Sequence, residues 1–132
     1  LQPFKKIADP DLILFAEADG ETIGWFPGIR NLNEVLIKVN GLRYPWNYLT
    51  LLTGLRRQTD CLSVKSLLVL PEYWNHGVGI LLFDELAKRA HAKGYKWVDL
   101  SLTGEDNPQT PYIAGKIGAR IYKRYRIYRK TL

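Results

Sequence analysis

The chain of 132 residues contains one cysteine, two histidines and no methionine. Cys61 cannot form an internal disulfide, and with His76 and His91 it does not supply the ligand spacing of a zinc site. Disulfide-rich secreted domains and structural zinc modules are therefore excluded, and we expect no bound metal. Because a chain without methionine does not begin at a start codon, we also expect that it is joined to the rest of a longer protein.

Long apolar runs are also missing. No stretch approaches the roughly 20 apolar residues that cross a bilayer, and the first residues lack the basic-then-apolar pattern of a signal peptide. Hydrophobic residues make up 46% and charged residues 24% of the chain. This composition supports a buried core and excludes a disordered chain. We expect a single domain, residues 1–132, that is cytoplasmic and has no membrane partner.

Acidic residues are absent from the C-terminal stretch that accounts for the net charge of +6. Its seven basic residues are Lys116, Arg120, Lys123, Arg124, Arg126, Arg129 and Lys130, and the rest of the chain has 12 basic and 13 acidic residues. Three interpretations remain open, in decreasing order of preference: a soluble edge strand, an electrostatic funnel for an acidic ligand, and a nucleic-acid surface. A nucleic-acid partner is therefore not favoured.

The first half of the chain predicts a hairpin followed by helices. Apolar and β-branched residues at 12–15 and 22–26 flank the turn signal Asp19-Gly20, and Pro27 is expected to break the second strand. Apolar residues recur at helical spacing from Asn33 until Asn40-Gly41, and Pro45 is placed to open a second helix. We expect a helical insertion at about residues 31–60.

The second half predicts alternating strands and helices. Residues 61–70 alternate and then become apolar on both faces, which is typical of a central strand. A helix follows the glycines near residue 78 and ends at Gly94, a strand spans 96–102, a short helix ends at Gly118, and residues 120–129 form a last strand or strand pair. This order predicts an α/β protein with a mixed sheet (α+β) and helices packed against it.

The loop between the central strand and the long helix is the most informative motif. It reads Asn75-His76-Gly77-Val78-Gly79-Ile80. Glycines at a helix start let the backbone approach a ligand, and the free N–H groups there favour an anion such as a pyrophosphate. One Gly-x-Gly is a weak signal, since the third glycine of a dinucleotide site and the Gly-Lys-Ser/Thr of a P-loop are both absent. A tight turn that binds nothing explains the loop alone equally well.

In a wider window the sequence resembles the GNAT superfamily of acyl-CoA-dependent N-acyltransferases. The resemblance covers about residues 62–128 and rests on the run from Val69 to Leu82, on Asn107 and on Lys116-Ile117-Gly118-Ala119. It implies a GNAT-like fold without the family's usual N-terminal strand and helices. It also implies acetyl-CoA as cosubstrate, with pantetheine on the backbone of the strand, pyrophosphate on the glycine loop, and the Asn contributing to coenzyme A binding. By position, these cofactor-binding residues are Leu68, Val69, Leu70, His76, Gly77, Val78, Gly79, Ile80 and Asn107.

Two positions depart from the family pattern. Trp74 stands where the family commonly has Arg or Gln, so one polar contact to phosphate is lost. Ala114 stands where a Tyr commonly protonates the leaving thiolate, and Tyr112 lies two residues away as a candidate replacement. Glu72 is a candidate base for the amine, with a solvated loop acid as its alternative. His76 either contacts phosphate or is merely exposed.

The resemblance implies an acetyl-CoA-dependent N-acetyltransferase that acts on an amine acceptor whose identity the sequence does not give. A GNAT-shaped module that has lost catalysis and serves acyl-CoA binding or protein interaction is the alternative. Trp74 and Ala114 favour the degenerate module, whereas Gly77, Gly79 and Asn107 favour retained binding.

Overall fold

A long antiparallel hairpin begins the computed structural model, which describes residues 8–104, 106–107 and 109–130. Strand β1 (Ala8–Ala18) pairs with β2 (Glu21–Arg30). Asp19 and Gly20 turn the chain with positive φ angles of 52° and 82°. Successive positive φ angles match the right-handed twist of hairpin strands, and Asp-Gly is a preferred sequence there. The predicted hairpin is confirmed, with longer strands than the apolar pattern indicated.

Strand β2 continues through Pro27, so the predicted break at this residue is wrong. On its second side, β2 pairs with one strand through Gly24 and Trp25 and with another from Gly28 onward. Pro27 falls between these two pairings, at a position without a registered partner on that side. A proline is tolerated at such an irregularity because the ladder does not need its N–H there.

Helices occupy the segment between β2 and the next strand. Helix α1 (Asn33–Leu36) continues into a 3-10 helix (Ile37–Leu42), where Asn40 and Gly41 are left-handed, and α2 (Pro45–Arg56) begins at Pro45 as predicted. The carboxylate of Glu34 accepts hydrogen bonds from the backbone N–H groups of Asp60 and Cys61, both at 2.9 Å. This carboxylate joins the helical segment to the start of the sheet's central strand.

The sheet is mixed, as predicted. Its remaining strands are β3 (Cys61–Val64), β4 (Leu68–Val69) and β5 (Trp97–Asp99), and a 3-10 helix (Pro71–His76) and α3 (Val78–Ala92) precede β5. The order is β1-β2-β3-β5, with β4 also paired to β2, and all pairings are antiparallel except β3 with β5. The mixed α/β class is confirmed.

The predicted continuous strand over residues 61–70 is wrong, because a bulge divides it. Gly28 pairs with Val64, and Trp25 pairs with Leu68. Between these pairs β2 has two residues and the opposite segment has three, so one residue is extra. A bulge of this kind bends its strand and re-aims the residues beyond it.

Helix α3 packs its apolar face on the hairpin. The rings of Phe26 and Phe83 meet edge to face with centroids 4.6 Å apart, and Leu86 is almost fully buried. A Cβ at Gly28 would lie 3.2 Å from both the Leu12 carbonyl oxygen and Leu86 Cδ1. The glycine therefore permits the close approach of helix and sheet that builds the core.

By backbone contacts the chain divides into two units, of which the first ends at Ser101 and the second begins at Leu102. The second unit contains α4 (Gln109–Lys116). The predicted strand at 120–129 is wrong, because residues 119–130 form no regular secondary structure and all are exposed. A strand needs a neighbour for its backbone groups, and alternation in sequence does not supply one. The predicted strand at 96–102 shortens to β5, and Ser101 has a positive φ of 63°. None of the helices in the described part of the chain combines the length and the apolar character of a membrane span.

Candidate functional site

The N-terminus of α3 presents a cluster of backbone N–H groups. Gly77 links the preceding 3-10 helix to α3 with a φ of 75°, which a residue with a side chain rarely adopts. The first bond into the helix runs from the Leu81 N–H to the Gly77 carbonyl at 3.1 Å. The N–H groups of Val78, Gly79 and Ile80 precede this bond and have no intrahelical acceptor. The first turn of α3 contains no acidic residue and no side-chain cap, so its partial positive charge suits an anion.

The bulge leads into β4. The backbone N–H and carbonyl groups of successive residues in this strand point to opposite sides of it. The Leu70 N–H donates to the Ile23 carbonyl at 2.9 Å, so the polar groups of Leu70 face β2. Alternation along a strand then directs the N–H and carbonyl of Val69 away from β2. On that side the pairing of β3 with β5 extends to Ser63 and Asp99 and no further within the described chain. Of the three strand positions predicted to meet pantetheine, Val69 is the one that faces the side left open.

Trp74 contacts this backbone directly. Its indole Nε1–H donates to the Val69 carbonyl oxygen at 2.8 Å, although the side chain as a whole is exposed. The bond holds the 3-10 helix against β4 and occupies the outward carbonyl, while the Val69 N–H points to the same side. Sequence reasoning treated Trp74 as the loss of a polar group and missed this bond. No spacing signal identifies it, because the bulge decides which carbonyl faces the indole.

The other candidates of this loop lie on the surface. Glu72 and His76 are exposed on the 3-10 helix, and the His76 ring lies 5.9 Å from the Tyr73 ring. The predicted residues from Leu68 to Ile80 are thus parts of one continuous strand, 3-10 helix and helix start. Among the residues that the structure describes, no group of three or more His, Cys, Asp or Glu could hold a metal ion.

A groove of about 270 Å³ lies beside the start of α3, between that helix and the hairpin. Its lining is mainly apolar and comes from Phe15, Ala16, Glu17, Ile23, Val78, Leu81, Leu82 and Glu85. Glu85 forms an ion pair with Arg89 at 2.7 Å. The arginine offsets part of the negative charge that the Glu85 carboxylate presents to a ligand. The groove therefore offers apolar contact next to the cluster of N–H groups.

Cys61 is fully buried at the start of β3. Burial raises the pKa of its thiol. A hydrogen bond with Asn31 opposes this rise in part, and the nearby Asp99 and Glu34 carboxylates add smaller increases. A thiol held in its neutral form is a poor nucleophile. The cysteine therefore belongs to the core, as the sequence indicated.

The second unit contains the remaining two candidates. The Asn107 Oδ1 accepts a hydrogen bond from the Thr110 N–H at 3.3 Å, which caps the start of α4. Its amide NH₂ group is not used in this bond. Tyr112 is exposed on α4, and the Lys116 Nζ lies 4.5 Å from the centre of its ring. Ala114 is half-buried on the same helix.

Comparison with known families gives a match that spans most of the chain. The model of the acetyltransferase (GNAT) family matches residues 2–114. The chain belongs to the GNAT family. The family resemblance drawn from the glycine loop and its flanking residues is thereby confirmed.

Two curated proteins are similar to this GNAT chain. A bacterial ceramide synthase of Caulobacter vibrioides and the protein YghO of Escherichia coli are each 28% identical to it over 133 residues, or 97% of this chain. The match covers 35% of the first protein and 34% of the second. The chain thus spans about a third of the length of these relatives.

Solved structures share the GNAT fold. The aminoglycoside N-acetyltransferase AAC(6')-Iy in complex with CoA superimposes with a TM-score of 0.65 at 21% identity, covering 100% of this chain and 76% of that one. A ribosomal-protein-alanine N-acetyltransferase from Brucella melitensis gives a TM-score of 0.54 at 19% identity, covering 89% and 70%. These likenesses support the fold.

Proposed function

We propose that this GNAT chain binds acetyl-CoA and transfers its acetyl group to an amine. The observation that carries the proposal is the joint arrangement of two backbone features: the outward-facing Val69 beyond the bulge, and the N–H groups of Val78 to Ile80 at the start of α3. The CoA held by the aminoglycoside N-acetyltransferase of the same fold supports it.

The residues of the first unit support this proposal by their chemical fit to coenzyme A. The pyrophosphate is assigned to the N–H groups from Gly77 to Ile80, where glycine leaves space for close approach and the first turn of α3 carries no acidic side chain. His76 lies at the end of the preceding turn and is assigned a hydrogen bond to a phosphate oxygen. The exposed side chains of Leu68 and Leu70 and the backbone of Val69 are assigned to pantetheine. For Asn107, in the second unit, the proposal rests on the family resemblance, which implies a part in coenzyme A binding.

The transfer step follows from these assignments. The amine nitrogen attacks the thioester carbon, the Val69 N–H stabilises the negative charge that develops on the carbonyl oxygen, and the C–S bond breaks as the amide bond forms. The amine loses one proton, for which Glu72 acting through water is the proposed acceptor. The departing thiolate gains one proton, for which the hydroxyl of Tyr112 is the proposed donor.

One comparison favours a long-chain acyl donor as the alternative to acetyl-CoA. The similarity to a bacterial ceramide synthase extends over 97% of this chain. The name of that relative denotes amide formation between a fatty acyl group and a long-chain amine. For this chain we therefore propose, as the second candidate, transfer of a long acyl group from acyl-CoA to a lipid amine.

The charge of the α3 N-terminus gives a direct test of the binding site. Gly79→Asp places a carboxylate among the N–H groups. Its negative charge interacts favourably with the helix dipole but repels pyrophosphate. We expect it to weaken acetyl-CoA binding at least ~10-fold in a calorimetric titration, which corresponds to about 1.4 kcal/mol, without lowering the melting temperature. Gly79→Ala is the matched control, since the added Cβ would meet only Leu67 Cδ2 at 3.4 Å, an ordinary contact.

Release of the CoA thiol then tests transfer. The parent chain and both Gly79 variants are assayed with acetyl-CoA and with palmitoyl-CoA, each against short polyamines and a long-chain amino alcohol. Turnover with acetyl-CoA and a polyamine that is lost in Gly79→Asp supports the first candidate, and turnover with palmitoyl-CoA and the amino alcohol supports the second. Saturable binding without turnover supports the catalytically degenerate module. Equal acetyl-CoA affinity in both variants contradicts the proposed binding site.

A further inference from the structure

Helix α2 lacks the usual separation of a polar outer face from an apolar inner face. The Asn47 side chain is buried on the inner face, and its Nδ2 lacks a hydrogen-bond partner. The residues of this face are Asn47, Thr50, Leu51, Gly54 and Leu55. The opposite face exposes large apolar side chains. Trp46 is 64% exposed and Leu49 is 65% exposed. A helix that stabilised only the folded chain would place these side chains inward.

The exposed side chains form a continuous strip, which we call the α2 face. At 100° per residue they occupy one half of the helix. They are Pro45, Trp46, Tyr48, Leu49, Leu52 and Thr53, with Arg56 at their C-terminal end. The strip extends beyond the start of the helix, because the Tyr44 ring stacks on Trp46 with centroids 4.7 Å apart and Arg43 lies over Tyr44. Aromatic rings with arginines at their edge are typical of segments that lie in the interface of a bilayer.

The charge of the α2 face determines what kind of partner fits it. Arg43 and Arg56 border the strip, and α2 itself contains no acidic residue. The acid of the neighbouring α1, Glu34, is engaged by two backbone N–H groups. A second copy of this chain would bring like charges together, whereas a surface of anionic lipid supplies the opposite charge.

We propose that the α2 face docks this chain onto the surface of anionic phospholipid membranes. A helix of 12 residues is about 18 Å long and cannot span a bilayer, but it can lie in the interface with its apolar side chains among the acyl chains. The expectation of no membrane partner came from the lack of spanning segments, which does not exclude surface binding. The proposal does not depend on acyl transfer, so each can fail without the other.

Vesicle sedimentation with the full chain measures this docking. We expect binding to vesicles of phosphatidylcholine with 30% phosphatidylglycerol. The double variant Leu49→Ser/Leu52→Ser should lower the partition coefficient at least ~10-fold, because two exposed side chains lose their burial in lipid. Both residues are exposed, so its melting temperature should stay close to that of the parent. The matched control, Ile121→Ser/Ile127→Ser, removes two exposed apolar side chains from the second unit and should bind like the parent.

Fluorescence locates the contact independently. Vesicles with brominated acyl chains should quench the emission of the parent, and Trp46→Phe should abolish most of that quenching, whereas Trp25→Phe should not. Binding that survives Leu49→Ser/Leu52→Ser, or that is lost only when the C-terminal isoleucines are changed, overturns the proposal. Absence of vesicle binding overturns it as well, as does self-association of the parent that Leu49→Ser/Leu52→Ser abolishes, since a second copy would then be the occupant.

Discussion

Trp74 stands at the loop position where the family resemblance implies Arg or Gln. Its indole donates to the Val69 carbonyl at 2.8 Å, and this carbonyl faces the side to which pantetheine is assigned. Pantetheine contains amide N–H groups that need acceptors. We therefore expect a bound cosubstrate and the indole to compete for this oxygen atom.

Replacement of the indole tests this competition. Trp74→Phe retains an aromatic ring but frees the Val69 carbonyl, so we expect acetyl-CoA affinity to rise about fivefold, as one net hydrogen bond of about 1 kcal/mol permits. Calorimetric titration of Trp74→Phe beside the parent measures the change, with Trp25→Phe on β2 as the control. Unchanged or weaker binding would mean that the indole contributes a contact of its own to the ligand.

The site residues could be predicted only in part at this scale. Gly77 and Gly79 are candidates from the sequence because a glycine-rich helix start has a known physical use, and both lie at the start of α3. The orientation of Val69 and its bond to Trp74 could not be predicted, since both depend on one extra residue in the strand. The apolar pattern does not reveal such an extra residue, because residues 67–70 are all apolar and a shift of one position leaves the pattern unchanged.

At the scale of elements, turns and helix ends were the predictable features. Asp19-Gly20 and Asn40-Gly41 adopt the left-handed angles that their residue types favour, and Pro45 opens α2 because its ring fixes φ at a helical value. The tail at 120–129 was mispredicted. An alternating pattern forms a strand only where a neighbouring strand pairs with its backbone. The sequence of the tail itself does not say whether such a neighbour exists.

Packing between the two helices of the segment gives a stability prediction. A Cβ at Gly54 of α2 would lie 2.5 Å from Val35 Cγ1. We expect Gly54→Ala to lower the free energy of unfolding by about 1–3 kcal/mol through this clash, although alanine favours the helix. Urea unfolding measures the loss. Gly115→Ala is the matched control, because no atom lies near its Cβ position, and it should stabilise by at most about 1 kcal/mol.

A double variant separates the clash from other effects. Adding Val35→Ala removes the methyl groups that obstruct the new Cβ, so Gly54→Ala should cost little in that background. Costs that simply add in the double variant would show that contact with Val35 is not the cause.

At the scale of the whole molecule, the positive charge is concentrated in one region. Seven basic and no acidic residues lie from 116 to 130, whereas the rest of the chain has 12 basic and 13 acidic residues. An edge strand, the preferred explanation of this composition, is excluded by the absence of a strand there. Attraction of an anionic ligand then becomes the preferred explanation, ahead of nucleic-acid binding.

Charge attraction acts on an approaching anion before contact, so it changes the association rate more than the dissociation rate. We expect Lys123→Gln/Arg124→Gln/Arg126→Gln to slow association of acetyl-CoA several-fold at about 20 mM salt, in stopped-flow measurements, with the dissociation rate unchanged. The difference should vanish near 0.5 M salt, where screening shortens the reach of charges to about 4 Å. Lys123→Arg, which retains the charge, should behave like the parent. Equal rates for acetyl-CoA, together with a loss of salt-sensitive affinity for a short oligonucleotide, would instead assign the tail to nucleic acid.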